Sequence, residues 1–262
     1  MKKGKRKVLW QFGYVLLLLA AIIILFHWYA MQNSKRMEER NKSYAADSAR
    51  QTVEQLDEEF KNALNLINTY AYFIGEGLRE PAIGPEMLKE MEEHSFFDTL
   101  VFTDTDGVNH DSRGRVSDAV GRDYYVNGIE GKSGISVIFD SELFSETMMC
   151  FYAPVRFEGE IIGVLRGVYL AEEYLKDMLA TTYFGEEAIV HICMPDGMVI
   201  AGSDNEVHDT NLVDMLVRDS VIDTNTAGAV RGVFQNGGEG AFICDSDSKT
   251  DNICVMYLPE SG

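Results

Sequence analysis

Residues 122–136 read "RDYYVNGIEGKSGIS", and the fold turns on how this stretch is taken. "GIEGKS" has the look of a phosphate-binding loop, which would place the chain among the α/β nucleotide enzymes. That loop requires a glycine, four residues, then Gly-Lys-Ser/Thr. Counting back from Gly131, Lys132 and Ser133 puts the first glycine at 126, where Val126 stands, and Gly128 is two residues too close. The loop is then too short to curl its amides round a phosphate. A phosphate loop also follows a buried strand and opens a helix. Here "GISVIF" (134–139) comes next, β-branched and aromatic, and reads as a strand. The stretch is a loop that feeds a strand, and it does not make this a nucleotide enzyme.

Upstream, the N-terminus groups Lys2, Lys3, Lys5, Arg6 and Lys7, and then Val8 to Tyr29 carry no charge. About 20 apolar residues in a helix cross a bilayer core. Trp10, Tyr14, Trp28 and Tyr29 sit towards the two ends, where amphipathic rings favour the interface. A cleaved signal peptide has an apolar region of only about 7 to 15 residues, followed by small residues; this run is longer, and "FHWYAMQ" is a poor cleavage site. The reading is an uncleaved anchor over 8–31 behind a cytoplasmic basic segment, 1–7. Residues from about 33 then lie outside the cytoplasm of a cell-membrane protein.

Charge sorts the same way. Five of the 23 Lys and Arg precede the anchor and none of the 42 Asp and Glu do, which leaves 18 basic against 42 acidic residues, a balance of −24. Such a surface repels phosphates and excludes nucleic acid as a partner. With 46% hydrophobic residues the chain can build a real core.

From Met31 to Leu78 there is no Pro, and no Gly before Gly75. Ala46, Ala49, Val53, Leu56, Phe60, Ala63, Ile67, Tyr70 and Ile74 alternate by three and four, one stripe of a helix close to a heptad pattern. That stripe serves either to pack on the domain or to pair with a second copy as a homodimer, and the pattern leaves both open. "REPAIGP" breaks the helix and "PEMLKEMEEH" starts a short second one.

The remainder holds a faint repeat. "LVFTDTDGVNHDS" and "IVHICMPDGMVIAGS" each place Asp-Gly between apolar runs, a hairpin signal. Further on, Gly131-x-x-Gly134 leads to "ISVIFDSE" and "TMMCFYAPV", as Gly237-x-x-Gly240 leads to "AFICDSDSK" and "NICVMYLP". Matching strand order argues for two similar α+β modules in tandem. The first continues through "FEGEIIGVLRGVYL", whereas the chain stops at "YLPESG" where the second would do so, so further sequence is expected beyond Gly262.

Taken together, "GRDYYVNGIEGKSGIS", "FYAPVRFEGEIIGVLRGVYL" and the long preceding helix resemble a double Cache domain, the tandem PAS-like sensor of bacterial transmembrane receptors. The resemblance covers roughly residues 33–262. It implies an α+β fold: a long helix over 32–80 continuing from the transmembrane helix, packed on a membrane-distal module, 81–183, and a membrane-proximal one, 184–262, each with an antiparallel sheet. It also implies a small-molecule sensor with a second membrane span and an output domain, such as a diguanylate cyclase or histidine kinase, beyond residue 262. A structural or adhesive ectodomain is the competing class; a ligand pocket separates the two.

In amino-acid-binding members of that family Arg-x-Trp-Tyr opens the loop that walls the pocket. The matching positions are Arg122, Asp123, Tyr124 and Tyr125, with Tyr124 in place of Trp. An Arg fork suits a carboxylate, and tyrosines add an apolar wall with a hydroxyl. Asp140 falls near the place of a pocket-rim acid. The acid that holds a ligand ammonium is replaced by Val168, which points from a free amino acid towards a carboxylate or another small polar metabolite. The plainer readings are a surface ion pair for Arg122 and core packing for the tyrosines.

No other chemistry emerges. In "DTDGVNHD" Gly107 falls at position 4, not the position 6 of a Ca²⁺ loop, so Asp104, Asp106, His110 and Asp111 read as a solvated turn. The five histidines show no metal-ligand pairing and no catalytic triad is evident, so neither cofactor nor metal is expected and no enzyme within these residues. Cys244 and Cys254 flank "DSDSKTDN" and either face each other as a disulfide across that hairpin or are buried free thiols.

Overall fold

The computed structural model describes residues 2–77, 83–138, 147–171, 174–175, 179, 190–202, 210–245 and 250–256. Helix α1 runs Lys2–Gly75, and the chain divides into two units at 47/48. In the first unit the side chains of residues 22–26, all Ile, Leu or Phe, are exposed round the helix. Among the described residues no helix is long and apolar enough to cross a membrane. The side chains of residues 8–17 of the expected span lie outside those described.

In the second unit the stripe is realised from residue 56 onward. Leu56, Phe60, Ala63, Ile67 and Ile74 are buried, with Ala71 added and Tyr70 half-buried, its hydroxyl donating to the carbonyls of Met91 and His94. Further up, the buried positions are Ser48 and Thr52, one place away from the expected Ala49 and Val53. The helix stops at Gly75, and the amides of Glu76 and Gly77 both return to the Tyr72 carbonyl.

Helix α2 (Pro85–Glu93) begins on a proline, whose missing N–H is not needed in a first turn. Glu92 pins it down, accepting from the Leu100 amide and the Ser112 hydroxyl. Six strands follow with one short helix among them: β1 Thr99–Asp104, β2 Val108–Asp111, β3 Val116–Asp118, α3 Asp123–Ile129, β4 Gly134–Ile138, β5 Met148–Phe157 and β6 Glu160–Leu170. They form one antiparallel sheet in the order β3-β2-β1-β6-β5-β4. The β1–β2 hairpin turns at Gly107, φ +84°, a conformation that costs a glycine little. Asp104 caps that turn, accepting from the amides of Asp106 and Val108, and meets His110 at 3.1 Å. Pro154 lies beyond the β4 ladder, which ends at Tyr152, so its lack of an N–H deprives no partner there.

After the sheet come β7 His191–Cys193 and β8 Val199–Gly202, paired across the second Asp-Gly turn, then α4 Leu212–Arg218, α5 Thr224–Asn236, and a last ladder of β9 Glu239–Asp245 with β10 Thr250–Met256. Asn211 caps α4 at the amides of Val213 and Asp214, and its Nδ2 donates 2.7 Å to the Asp196 carbonyl, tying the helix to the β7–β8 turn. Ile200 and Ala201 of β8 join the core that holds α1 against the sheet. Ile253 and Val255 pack with Val213, Ala227 and Val230 of α4 and α5.

Of the two readings of Cys244 and Cys254, whose side chains lie outside those described, the backbone register bears on the disulfide. The register of the last ladder sets Cys244 opposite Asp251 and Cys254 opposite Ala241. The two cysteines stand three places apart along the ladder, about 10 Å, and a disulfide needs Cα atoms within about 7 Å. Asp245 pairs with Thr250, so the ladder is centred earlier than the sequence symmetry of "DSDSKTDN" implies.

Candidate functional site

Strand alternation gives the six-stranded sheet two faces. Leu165 and Tyr169 of β6 face α1, in a core whose centre is the edge-on contact of Phe60 with Phe151, 5.6 Å between ring centroids. Val164 and Val168 face the other way, with Val101, Cys150 and Tyr152, and are covered by Tyr124 of α3. Helix α3 seats closely because Gly128 leaves room: a Cβ there would come within 2.5 Å of a Val164 methyl. "DYYVNGI" is therefore helix, where the sequence suggested a loop.

The candidate residues take distinct places on this face. Arg122 is the N-cap residue of α3, half-buried, its carbonyl accepting from the amides of Tyr125 and Val126. Tyr124 is buried, whereas Tyr125 is half-buried and donates its hydroxyl to the Thr105 carbonyl at 2.9 Å, clamping α3 to the β1–β2 turn. Asp140 lies outside the described residues. Arg122 and Tyr124 are brought into one electrostatic neighbourhood. Burial raises the Tyr124 phenol above its ordinary range, and Arg166, the hydrogen bond with Asn109 and the Arg122 charge all oppose that rise.

Sequence reasoning missed Arg166. It is buried in β6, facing α3, with its guanidinium carbon 4.2 Å from the Tyr124 ring centroid. The available signal was a single charge inside "IIGVLRGVYL", in step with Val164 and Val168. It also missed a polar row that the register assembles across three strands. Thr103, Asn109 and Ser117 stand side by side on β1, β2 and β3. The Thr103 hydroxyl donates to Asn109 Oδ1 at 2.7 Å and Asn109 Nδ2 to Ser117 at 3.0 Å; the Tyr124 hydroxyl approaches the same Oδ1 at 3.5 Å. Cys150, a free thiol beside Val168, is pushed up to about 11 by burial against the opposing pull of Arg166. The Tyr152 hydroxyl bonds the side chain of Asn127 on α3 and lies against Gly134. Beyond α3, Ser133 donates to Asn68 Oδ1 of α1 at 2.7 Å, linking this covering segment to the long helix. The face as a whole is apolar with a few convergent polar groups, the composition of small-molecule sites.

This geometry has solved counterparts. A structure titled Methyl-accepting Chemotaxis protein X superimposes with a TM-score of 0.65 at 16% identity, over 86% of this chain and 95% of that one. The ligand-binding domain of Pseudomonas fluorescens chemoreceptor CtaA, in complex with L-alanine, gives 0.61 at 16% identity, over 80% and 87%. That of Pseudomonas aeruginosa chemoreceptor PctB, in complex with L-Arg, gives 0.59 at 18%, over 81% and 86%. The fold is that of chemoreceptor ligand-binding domains. No protein-family model and no curated protein matches the chain. At these identities the chemoreceptor fold is common ground, and the side chains on the α3 face carry any further argument.

Proposed function

We propose that this chain is the extracytoplasmic sensing part of a membrane-anchored receptor, and that it binds a small polar metabolite on the α3 face of its six-stranded sheet. The observation that carries the reading is the segment from Arg122 to Tyr125. It builds a helix over a buried sheet face that holds Arg166, Asn109 and Thr103, within a chemoreceptor fold. Solved proteins of this fold were crystallised with amino acids. In this reading Arg122 lines the site rim, Tyr124 and Tyr125 form its wall, and Asp140 is carried as a candidate rim acid.

The same reading includes an anchor at 8–31, tandem modules at 81–183 and 184–262, and pairing of two copies through α1. It also includes a second span with an output domain, a diguanylate cyclase or histidine kinase, beyond residue 262. The mirrored Asp-Gly hairpins at 107 and 197 support the tandem division. The Ser133–Asn68 hydrogen bond offers a route from the covering loop to the helix. The test is a thermal-unfolding screen of small acids, amino acids and neutral metabolites against the full chain in detergent, repeated with Arg122→Ala. A ligand should raise Tm, and Arg122→Ala should weaken it roughly ten- to hundredfold, the loss of one charge-assisted contact. A chain that no small polar compound stabilises is not a metabolite sensor of this kind.

A further inference from the structure

A guanidinium inside an apolar sheet requires a counter-charge. Arg166 is 4% exposed. Its cross-strand neighbours are Val101 and Tyr152, its neighbours along the strand on the same face are Val164 and Val168, and Tyr124 covers it from α3. None of these is an acid. In its own cross-strand row the next carboxylate is that of Asp111, beyond Val101 and about 10 Å away across two strand spacings. That carboxylate is engaged by the Arg115 side chain and by the amides of Arg113 and Arg115. Among the described residues Arg166 forms no ion pair, and its enclosed Nε–H reaches no acceptor. A tyrosine face and a thiol soften the burial of the charge without neutralising it.

A second buried donor on the same face also lacks an acceptor. Thr99 is 1% exposed and its hydroxyl makes no hydrogen bond. Thr99 stands opposite Val168, two places along from Val101 opposite Arg166 and so in the next row of the same face. Two donors, one of them charged, are thus left open on adjacent rows of neighbouring strands. A ligand supplying acceptor oxygens and one negative charge would satisfy both.

We infer that Arg166 is a second anion-binding residue of the α3 face, beside Arg122 at the rim, and that the ligand is a small carboxylate without an α-ammonium group, its carboxylate taking the Arg166 Nε–H and the Thr99 hydroxyl. This rests on the small-molecule reading above and narrows its ligand class. The planar guanidinium edge fits a carboxylate, and among the described residues on these rows the only acid is Asp111, already engaged by Arg115. Val168, between Thr99 and Cys150, offers an ammonium nothing.

The test uses the full chain in detergent, its thermal unfolding followed at constant ionic strength. The probes are acetate, pyruvate, lactate and succinate as carboxylates, phosphate and sulfate as inorganic anions, and alanine and serine as amino acids. At least one carboxylate should raise Tm saturably, more than the inorganic anions and more than the amino acids. Arg166→Met, which keeps the volume and removes the charge, should raise the Tm of the unliganded chain and abolish the carboxylate shift. Thr99→Val should weaken the same carboxylate about tenfold, the loss of one hydrogen bond. The inference is overturned if Arg166→Met lowers the unliganded Tm, which would mean the charge is neutralised within the protein. A carboxylate shift that survives Arg166→Met overturns it too, as does a response only to phosphate or sulfate. A response only to amino acids leaves the sensor reading standing and removes this one; no response to any compound removes both.

Discussion

Arg166 and Tyr124 form a cation-over-ring pair that joins β6 to α3, with the guanidinium carbon 4.2 Å from the ring centroid. The ring does the holding; the hydroxyl reaches Asn109 Oδ1 only at 3.5 Å, and that oxygen already accepts from Thr103. Tyr124→Phe should therefore cost less than about 1 kcal/mol, because no buried group loses its only partner. Tyr124→Ala should cost about 3–5 kcal/mol, the range for deleting a buried aromatic ring. Urea denaturation of the two variants checks the contrast. A Phe variant as unstable as the Ala variant would place the energy in the hydroxyl.

Gly128 and Val164 set how closely α3 can lie on the sheet. Alanine normally favours a helix interior over glycine by roughly 0.5–1 kcal/mol. At this position the added methyl would meet two Val164 methyls at 2.5 and 2.7 Å, and Val164 is fully buried with nowhere to move. Overpacking of this kind costs about 1–3 kcal/mol, so the clash outweighs the propensity. Gly128→Ala should lower Tm, and Gly128→Ala with Val164→Ala should recover part of the loss. A stabilised single variant would show that α3 is free to lift.

What the sequence discloses here follows from how local each signal is. The Asp-Gly hairpins at 107 and 197 and the stripe of α1 from Leu56 to Ile74 are written in neighbouring residues, by turn chemistry and by period. Helix α3 is too short to announce itself; its seven residues hold because Gly128 fits Val164 and the Tyr125 hydroxyl reaches Thr105, contacts made across the fold. The Thr103–Asn109–Ser117 row and the approach of Arg166 to Tyr124 depend on strand register, which no short window contains. Arg122, Tyr124 and Tyr125 enter as candidates only through their likeness to a family pattern. The offset of Cys244 from Cys254 along the last ladder is likewise a matter of register.

Cys150 provides a pH-dependent signature of this face. Its thiol is fully buried and its pKa stands at about 11 in the folded chain. An unfolded thiol titrates near 8.5. The folded state therefore keeps its proton while the unfolded state loses it, and stability falls as pH rises from about 9 through about 11. A tenfold difference in proton affinity is worth about 1.4 kcal/mol, so the total is on the order of 3 kcal/mol. Below pH 8 this contribution is fully present. Cys150→Ala should flatten that alkaline decline when stability is measured by urea denaturation between pH 8 and 11. An unchanged slope would assign the decline to other groups.

The proposed anchor makes a topological prediction. Five basic residues precede an uncharged run of 22, and the described side chains at 22–26 are exposed on the helix. A periplasmic reporter fused after residue 32 should be active and should sediment with the membrane fraction. Replacing the five basic residues by Gln should reduce the fraction in this orientation. A soluble reporter recovered free of membrane would refute the anchor.

Phe60 decides between the two uses of the α1 stripe. It is buried in its own chain, edge-on to Phe151 of β5, and its stripe partners Leu56, Ala63 and Ile67 are buried with it. Removing a ring from such a site costs about 3–5 kcal/mol. Because the contact is intramolecular, Phe60→Ala should lose the same amount at every protein concentration. If residues 56–74 instead formed the face of a dimer, the loss would shrink as concentration rises, since association adds to apparent stability by mass action. Denaturation midpoints of the native chain and the variant over a hundredfold dilution separate the two. Parallel midpoints assign the stripe to the domain; converging ones assign it to a second copy.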